Sequence, residues 1–398
     1  MPRAKTTTAT TAPTKPPLPK GWQWVRFDQI AVNVSERIDD PKKAGVDHYV
    51  GLEHIDSDSL RIRRWGTPDD VEAQKLKFRK GDIIFGKRRA YQRKVGVADF
   101  DGICSAHAFV FRGNSKHIVP ELLPFFMQTD AFMERAVAIS KGSLSPTINW
   151  GDLARQEFAL PSDPAEQRRI AELLRAAETV AEQYHQTLAA LDDARDAIVE
   201  PEEMVAQGVQ PLQNFTTVII DGEHNPPKRV TSGVPYALVQ NVVNGGLDLR
   251  ECSYISREDF ERTKKRYTSA RGDILLVCVG FTTGRVSFVN RDDEFAIDRS
   301  VAAIRFDSRL VLPEYGFALM GSAFVQQQVR RSILGTQQLH LYLRDIKKLK
   351  VAVPPLSAQE YILARLRQMS ETRGMIDTAL THARAVKHNL METLLRPR

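Results

Sequence analysis

The densest set of groups able to grip a polyanion lies between Arg79 and Lys94. Arg79, Lys80, Lys87, Arg88, Arg89, Arg93 and Lys94 fall there, with Tyr91 among them and only Asp82 opposing. A guanidinium is a planar fork of donors that matches a phosphate or the paired acceptors of guanine, and a nearby ring packs on sugar or base. Lys87, Arg88, Arg89, Tyr91, Arg93 and Lys94 are therefore the first candidate DNA contacts. A solvated basic loop is the plain alternative. Arg61, Arg63, Arg64 and Trp65 form a smaller cluster that reads equally well as a surface strand. Two further stretches, Lys141-Gly142-Ser143-Leu144-Ser145 and Gly335-Thr336-Gln337-Gln338-Leu339-His340, are rich in hydrogen-bonding side chains. Gln suits adenine and Ser reads base edges, so Lys141, Ser143, Gln337, Gln338 and His340 join the candidates. Capping and turn-making account for the same residues equally. Arg285 completes the set, in a much less basic loop, Gly280-Phe281-Thr282-Thr283-Gly284-Arg285.

Motifs that could do catalysis fail on inspection. Gly81-Asp82-Ile83-Ile84-Phe85-Gly86-Lys87-Arg88 nearly spells a phosphate-binding loop, but Arg88 stands where a Ser or Thr should hold magnesium. The apolar run also lies inside the loop instead of before it. Asn225-Pro226-Pro227-Lys228 approaches the Asn-Pro-Pro-aromatic motif of amino-methyltransferases, with Lys228 in place of the ring that stacks a flipped base. The nine His show no metal-ligand spacing, and Cys104, Cys252 and Cys278 are distant singles. No catalytic residue, metal ligand or bound cofactor is assigned to the chain.

These groups must be positioned by something, and the chain shows what by repeating itself. Arg79-Lys80-Gly81-Asp82-Ile83 recurs as Ala270-Arg271-Gly272-Asp273-Ile274. Val119-Pro120-Glu121-Leu122 recurs as Leu312-Pro313-Glu314-Tyr315, and Gly142, Asp152, Pro161 and Ala165 match Gly335, Asp345, Pro354 and Ala358, all at an offset of 193 residues. Phe27 pairs with Phe215 and Tyr49 with Tyr236 at smaller offsets. The spacing predicts a domain duplication. In each half, short β-rich runs (Asp82–Phe85 and Ala108–Arg112; Asp273–Val279 and Val301–Phe306) precede a helix opened by proline, Pro120–Ser140 or Pro313–Ser332. A short strand and a long helix close each half.

Both long helices carry a 3-4 apolar spacing, the mark of a coiled-coil seam. The first runs Ile170, Leu173, Ala177, Val180, Tyr184, Thr187, Leu191, Ala194, Ile198 without a break. The second runs Ile362, Leu366, Met369, Arg373, Ile376, Leu380, Ala383, Lys387, Leu390, Leu394, interrupted by its charges. Two equivalent helices in one chain can satisfy each other, so they are expected to pair. The resulting division is 1–20 a disordered basic arm, 21–162 a first domain, 163–205 a long helix and linker, 206–355 a second domain and 356–398 a second long helix.

Composition agrees with this reading. Of 398 residues, 42% are hydrophobic and 26% charged, enough for two cores, and the net charge of +7 suits a polyanionic partner. No run approaches the roughly 20 apolar residues of a membrane span, and the Thr/Pro/Lys-rich start lacks the apolar stretch of a secretory signal. Widely separated single cysteines fit a reducing cytoplasm.

The order domain, long helix, domain, long helix resembles the specificity subunit of type I restriction–modification systems. The residues that carry the resemblance are Gly21-Trp22, the Gly-Asp-Ile pairs and the junctions Leu160-Pro161-Ser162-Asp163-Pro164-Ala165-Glu166-Gln167 and Val353-Pro354-Pro355-Leu356-Ser357-Ala358-Gln359-Glu360. The second junction reverses the Glu-Gln order of the first. The resemblance implies an α+β protein of two tandem α/β target-recognition domains, with the two helices pairing as an antiparallel coiled coil. It implies that each domain reads one half of a split site in double-stranded DNA. It further implies two methyltransferase subunits as partners, with translocase–nuclease subunits joining them, and S-adenosylmethionine and ATP bound by those partners. The competing readings are a duplicated DNA-binding methyltransferase or nuclease acting on its own, and a purely structural coiled-coil adaptor.

Overall fold

The computed structural model describes residues 16–57, 59–199, 208–243, 245–333 and 339–397. The expected basic arm therefore lies mostly outside the described residues. The chain divides into two units, Met1–Gln186 with Asp377–Arg398, and Thr187–Ile376. The division falls within each long helix, so each unit holds a part of both.

The first unit is built on a four-stranded antiparallel sheet. Its strands are β1 (Ala31–Val34), β2 (Ile83–Gly86), β3 (Val95–Val97) and β4 (Ala108–Gly113), in the order β1-β4-β2-β3. The second unit repeats it with β5 (Thr216–Asp221), β6 (Ile274–Val277), β7 (Val286–Phe288) and β8 (Val301–Phe306), in the order β5-β8-β6-β7. The duplication read in the sequence is thus a duplication of topology. The cores are filled differently. Phe27, Phe85, Phe111, Phe126, Phe132 and Phe158 pack in the first unit, with Phe27 and Phe111 edge to face at 5.3 Å. Aliphatic residues such as Ile274, Leu276, Ile304 and Leu319 do the same work in the second.

The acid of each Gly-Asp-Ile triplet locks its sheet. Asp82 is buried and accepts from Arg112 Nε at 2.6 Å and Nη2 at 2.9 Å, and from the Arg79 amide at 2.8 Å. Asp273, also buried, accepts from Arg305 at 2.6 and 2.8 Å and from the Ala270 amide at 2.9 Å. Burial raises the pKa of the Tyr267 phenol, with the Asp273 charge adding to it, so the hydroxyl stays protonated and donates to that carboxylate at 2.6 Å. The motif that resembled a phosphate loop is therefore a turn, tied to its neighbouring strand by a bidentate ion pair.

The helix expected over Pro120–Ser140 is two helices, Leu123–Phe126 and α1 (Asp130–Ala138); that over Pro313–Ser332 is Pro313–Met320 and α3 (Ala323–Ser332). The break has one cause in both units. Thr129 and Ser322 cap the second segment, their hydroxyls accepting from the Phe132 and Val325 amides at 3.3 Å, which starts a fresh helix there.

The long helices are α2 (Pro164–Val199) and α4 (Leu356–Leu394). No described helix is long and apolar enough to cross a membrane. In the first unit Lys387 Nζ donates to Glu178 Oε2 at 2.7 Å, and Arg384 meets His185. In the second, Arg373 pairs with Asp192, while Val199 shares a core with Ile362 and Leu363. Numbers fall on one helix as they rise on the other, so the pairing within each unit is antiparallel.

The seam expected on α4 faces inward, with Leu380 and Lys387 both buried. The seam expected on α2 holds at Ile170, Leu191 and Ile198 but is one residue out of phase between Leu173 and Thr187. Leu173 and Val180 are 42% and 43% exposed. The inward line runs instead through Ala171, Leu174, Glu178, Ala181 and His185 in the first unit, then Leu188, Leu191 and Val199 in the second. Glu178 and His185 are polar, so an apolar count selects the neighbouring stripe there. Their partners are Lys387 and Arg384, while Arg373, the other charge that interrupts the second seam, pairs with the exposed Asp192.

Candidate nucleic-acid interface

In the first unit β2 leads into a turn that carries most of the basic candidates. Arg89 and Arg93 bracket it with φ of 56° and 53°, and are the non-glycine residues with positive φ among the described residues. The turn is sewn to the loop after α1. The Arg89 amide donates to Pro146 O at 2.8 Å, the Ile148 amide to Lys87 O at 3.0 Å, and Arg88 forms a β-bridge with Thr147. Two stretches picked out separately in the sequence are thus one surface. At its base lies a recess of about 300 Å³, lined by Glu53, Arg88, Arg89, Gln92, Ser105 and His107.

The basic residues of this segment divide into two groups. Lys87 is turned over the Phe109 ring at 5.0 Å, and burial, with Arg37 adding to it, lowers its pKa. Arg93 donates to Asp130 at 2.9 Å and Gln128 O at 2.6 Å, and Lys94 Nζ to Leu52 O at 2.5 Å. These three side chains hold the fold. Arg88 and Arg89 both lean on Ser145 Oγ, at 3.0 and 3.3 Å, and Arg88 Nη1 donates to His107 Nε2 at 3.3 Å. That bond needs a neutral imidazole, and the His107 pKa is lowered, first by burial and then by Arg88 and Lys87. Arg89, Tyr91 and Ser143 are exposed, and Tyr91 shows 54% of its surface. Lys141 is exposed too, its ammonium 2.8 Å from Asp152.

The second unit builds the same surface from other residues. The Gly280 amide donates to Leu339 O at 3.0 Å, the Leu341 amide to Cys278 O at 2.9 Å, and Val279 forms a β-bridge with His340. His340 stacks on Tyr342 at 5.8 Å, and the Arg344 guanidinium lies 5.0 Å over the other ring. A recess of about 350 Å³ beside them is lined by Asp221, His224, Arg299, His340 and Tyr342. Arg285 points inward, with Nη1 3.4 Å from Val242 O. Gln337 and Gln338 lie outside the described residues.

Sequence reasoning missed His107, His224, Arg299 and Tyr342, while Ser145 fell within the stretch it picked out. The repeat offset was the signal for Tyr342, since it places that residue level with Asn149, two residues beyond the bridging Thr147. For His107 and His224, which sit in turns beside strands distant in the chain, the sequence offers none. The basic cluster Arg61–Trp65 stays at the surface, with Arg61, Arg64 and Trp65 exposed, but its side chains are engaged within the unit. Arg63 Nε and Nη2 reach Glu182 of α2 at 3.1 and 2.5 Å, and Trp65 packs on Phe100 at 5.0 Å. Asn225–Lys228 is irregular chain after β5. The described residues contain one grouping with metal-ligand geometry, Asp130, His388 and Glu392. Asp130 already holds Arg93, and Glu392 accepts from the Asp130 amide at 2.7 Å.

Comparison with known proteins adds a further constraint. The family described as type I restriction modification DNA specificity domain matches residues 19–191 and 227–380. The type I restriction enzyme EcoDI specificity subunit of Escherichia coli is 31% identical over 46% of this chain and 42% of its own. The EcoBI specificity subunit of the same organism is 25% identical over 50% of this chain and 41% of its own. Each alignment thus spans less than half of the relative. A solved chain from work on complex assembly and conformational transition of the type I R-M system superposes with a TM-score of 0.56, at 18% identity, over 96% of this chain and 99% of the other. At that identity the likeness is one of fold.

Proposed function

Since this chain belongs to the family of type I restriction–modification DNA specificity domains, we propose that it reads a split duplex site, one half with each unit, and directs separate enzymes to it. The observation that carries the reading is the twice-built surface. A turn after the second sheet strand is sewn to the loop after a helix, through Arg88 and Thr147 in one unit and Val279 and His340 in the other. One device with different side chains is what recognition of two different half-sites requires. Arg88 and Arg89, held on Ser145, are a forked donor pair for guanine or phosphate. His340, Tyr342 and Arg344 offer stacking and single hydrogen bonds instead.

The chain carries out no chemistry in this reading. Adenine-methylating subunits, two per chain, supply the methyl donor site, and translocase–nuclease subunits where present supply ATP hydrolysis, in the cytoplasm. The test is to express the full chain with and without a methyltransferase of the same system and to map methylated adenines. Methylation at a split motif only in the pair supports the reading. Methylation by the single chain overturns it in favour of a self-sufficient enzyme.

A further inference from the structure

The two turns share a frame that the sequence conceals. In the first unit the turn is closed by left-handed residues at Arg89 and Arg93; in the second by Gly280 and Gly284, with φ of 96° and 97°, four residues apart in both. The bonds also correspond. Gln92 N donates to Arg89 O at 2.9 Å, and Thr283 N to Gly280 O at 3.1 Å. Glycine adopts this backbone without strain, whereas arginine does so at a cost. The second turn therefore has no need of large residues, yet it holds one. Phe281 is 98% exposed at its tip.

That ring stands on a rigid support. Thr283 Oγ1 donates to Gly280 O at 2.6 Å, Arg285 N to Thr282 O at 3.0 Å, Gly284 N to Val277 O at 2.9 Å, and Gln326 Nε2 to Gly284 O at 3.0 Å. A protein-docking phenylalanine would sit within an apolar patch. Around Phe281 are Gly280, Thr282, Thr283 and Gly284, and the recess at the base of the turn holds Val279, Arg299, His340 and Tyr342, with its one acid, Asp221, engaged by His224 and Arg266. Such a setting suits a flat π-face beside phosphates.

We propose that Phe281 is a stacking residue, packing its ring against a base at an opened step of the half-site read by the second unit. This rests on the DNA-reading function proposed above. The inference makes the two units differ in kind. The first presents guanidinium forks, with Tyr91 at the third position of its turn. The second gains contact from an uncharged ring.

The experiment uses the full chain with its methyltransferase partners and a duplex that this complex selects from a randomised pool. 2-Aminopurine is placed singly along both half-sites, and wild type is compared with Phe281→Ala and Phe281→Trp. Wild type and the Trp variant should change the fluorescence at one position of one half-site where the Ala variant leaves it unchanged, apart from any response at the methylated adenines, which all three should share. Affinity of the Ala variant should fall about tenfold or more, with the salt slope unchanged because no phosphate contact is lost. Phe281 is exposed, so the melting temperature serves as a control that should not move. If Phe281→Ala binds as wild type does, or no position beyond the methylated adenines responds, the stacking role is wrong while DNA reading stands. If wild type selects no duplex at all, the proposed function fails and the inference with it.

Discussion

Gln359 occupies in the second unit the place that Gln167 occupies in the first. Gln167 accepts from the Val119 amide at 2.7 Å and donates to His117 O at 2.9 Å and Pro161 O at 2.7 Å. Gln359 accepts from the Leu312 amide and donates to Leu310 O and Pro354 O, each at 2.8 Å. Both are buried. The reversed order of Gln and Glu at the second junction is therefore a junction one residue shorter, with the same amide in the same hole.

Exchanging the pair, Gln359→Glu with Glu360→Gln, would restore the order of the first junction and should harm the protein. A carboxylate at 359 cannot donate to Leu310 O and Pro354 O, and each orphaned buried carbonyl costs about 1–3 kcal/mol. Denaturant titration should show the double variant destabilised by more than about 2 kcal/mol. Wild-type stability in that variant would mean the bonds are not needed.

Asp82 and Asp273 should be structural, not phosphate-binding. Arg112→Ala or Arg305→Ala leaves a buried carboxylate without its counter-ion, a loss of roughly 3–5 kcal/mol. Each variant should expose its own unit first to limited proteolysis. Loss of DNA binding at unchanged stability would contradict this assignment.

Arg89→Gly and Arg93→Gly should separate reading from folding within one turn. The first relieves about 1 kcal/mol of left-handed strain, offset in part by the entropy glycine adds to the unfolded chain. Its melting temperature should hold while binding through one half-site weakens. Arg93→Gly removes the link to Asp130 and Gln128 and should lower the melting temperature. The prediction fails if the two variants behave alike.

Lys387 and Glu178 should be coupled across the helix pair. Lys387 is 3% exposed, and Glu178 also accepts from the Leu60 amide at 2.9 Å. Removing either alone strands a buried charge, so the double change to Met and Gln should cost less than the two singles added together. A double-mutant cycle showing additivity would refute the coupling.

His107 should make stability fall with acid. Its pKa is lowered in the folded state, by burial and then by Arg88 and Lys87, so below the ordinary histidine value the unfolded chain binds more protons than the folded one. Its contribution is complete above about pH 6.5 and is lost progressively as pH falls through the folded value. Between pH 8 and pH 5 the melting temperature of wild type should drop further than that of His107→Gln. Parallel curves for the two proteins would count against it.

Much of this architecture was legible in the chain. The duplication, the main sheet strands and the two long helices follow from register, turn residues and apolar spacing, which are local properties. The seam of α4 was legible too, because its inward positions are mostly apolar. That of α2 was legible only in part. Glu178 and His185 lie inward because Lys387 and Arg384 meet them, and no count along one helix can see a charge on another. The breaks at Thr129 and Ser322 were hidden for a similar reason, since a hydroxyl marks a cap only once the backbone turns toward it.

The candidate site shows the same division. Its basic character is a matter of composition and could be read directly. Which of the six candidates between Lys87 and Lys94 remain available to a ligand depends on Phe109, Asp130, Gln128 and Leu52, and these reach the turn from separate strands and loops. Residue type determined that this protein carries forked donors and aromatic rings. Only tertiary structure decided which of them are consumed in holding the turn, because a side chain's partners are set by distance in space and not along the chain.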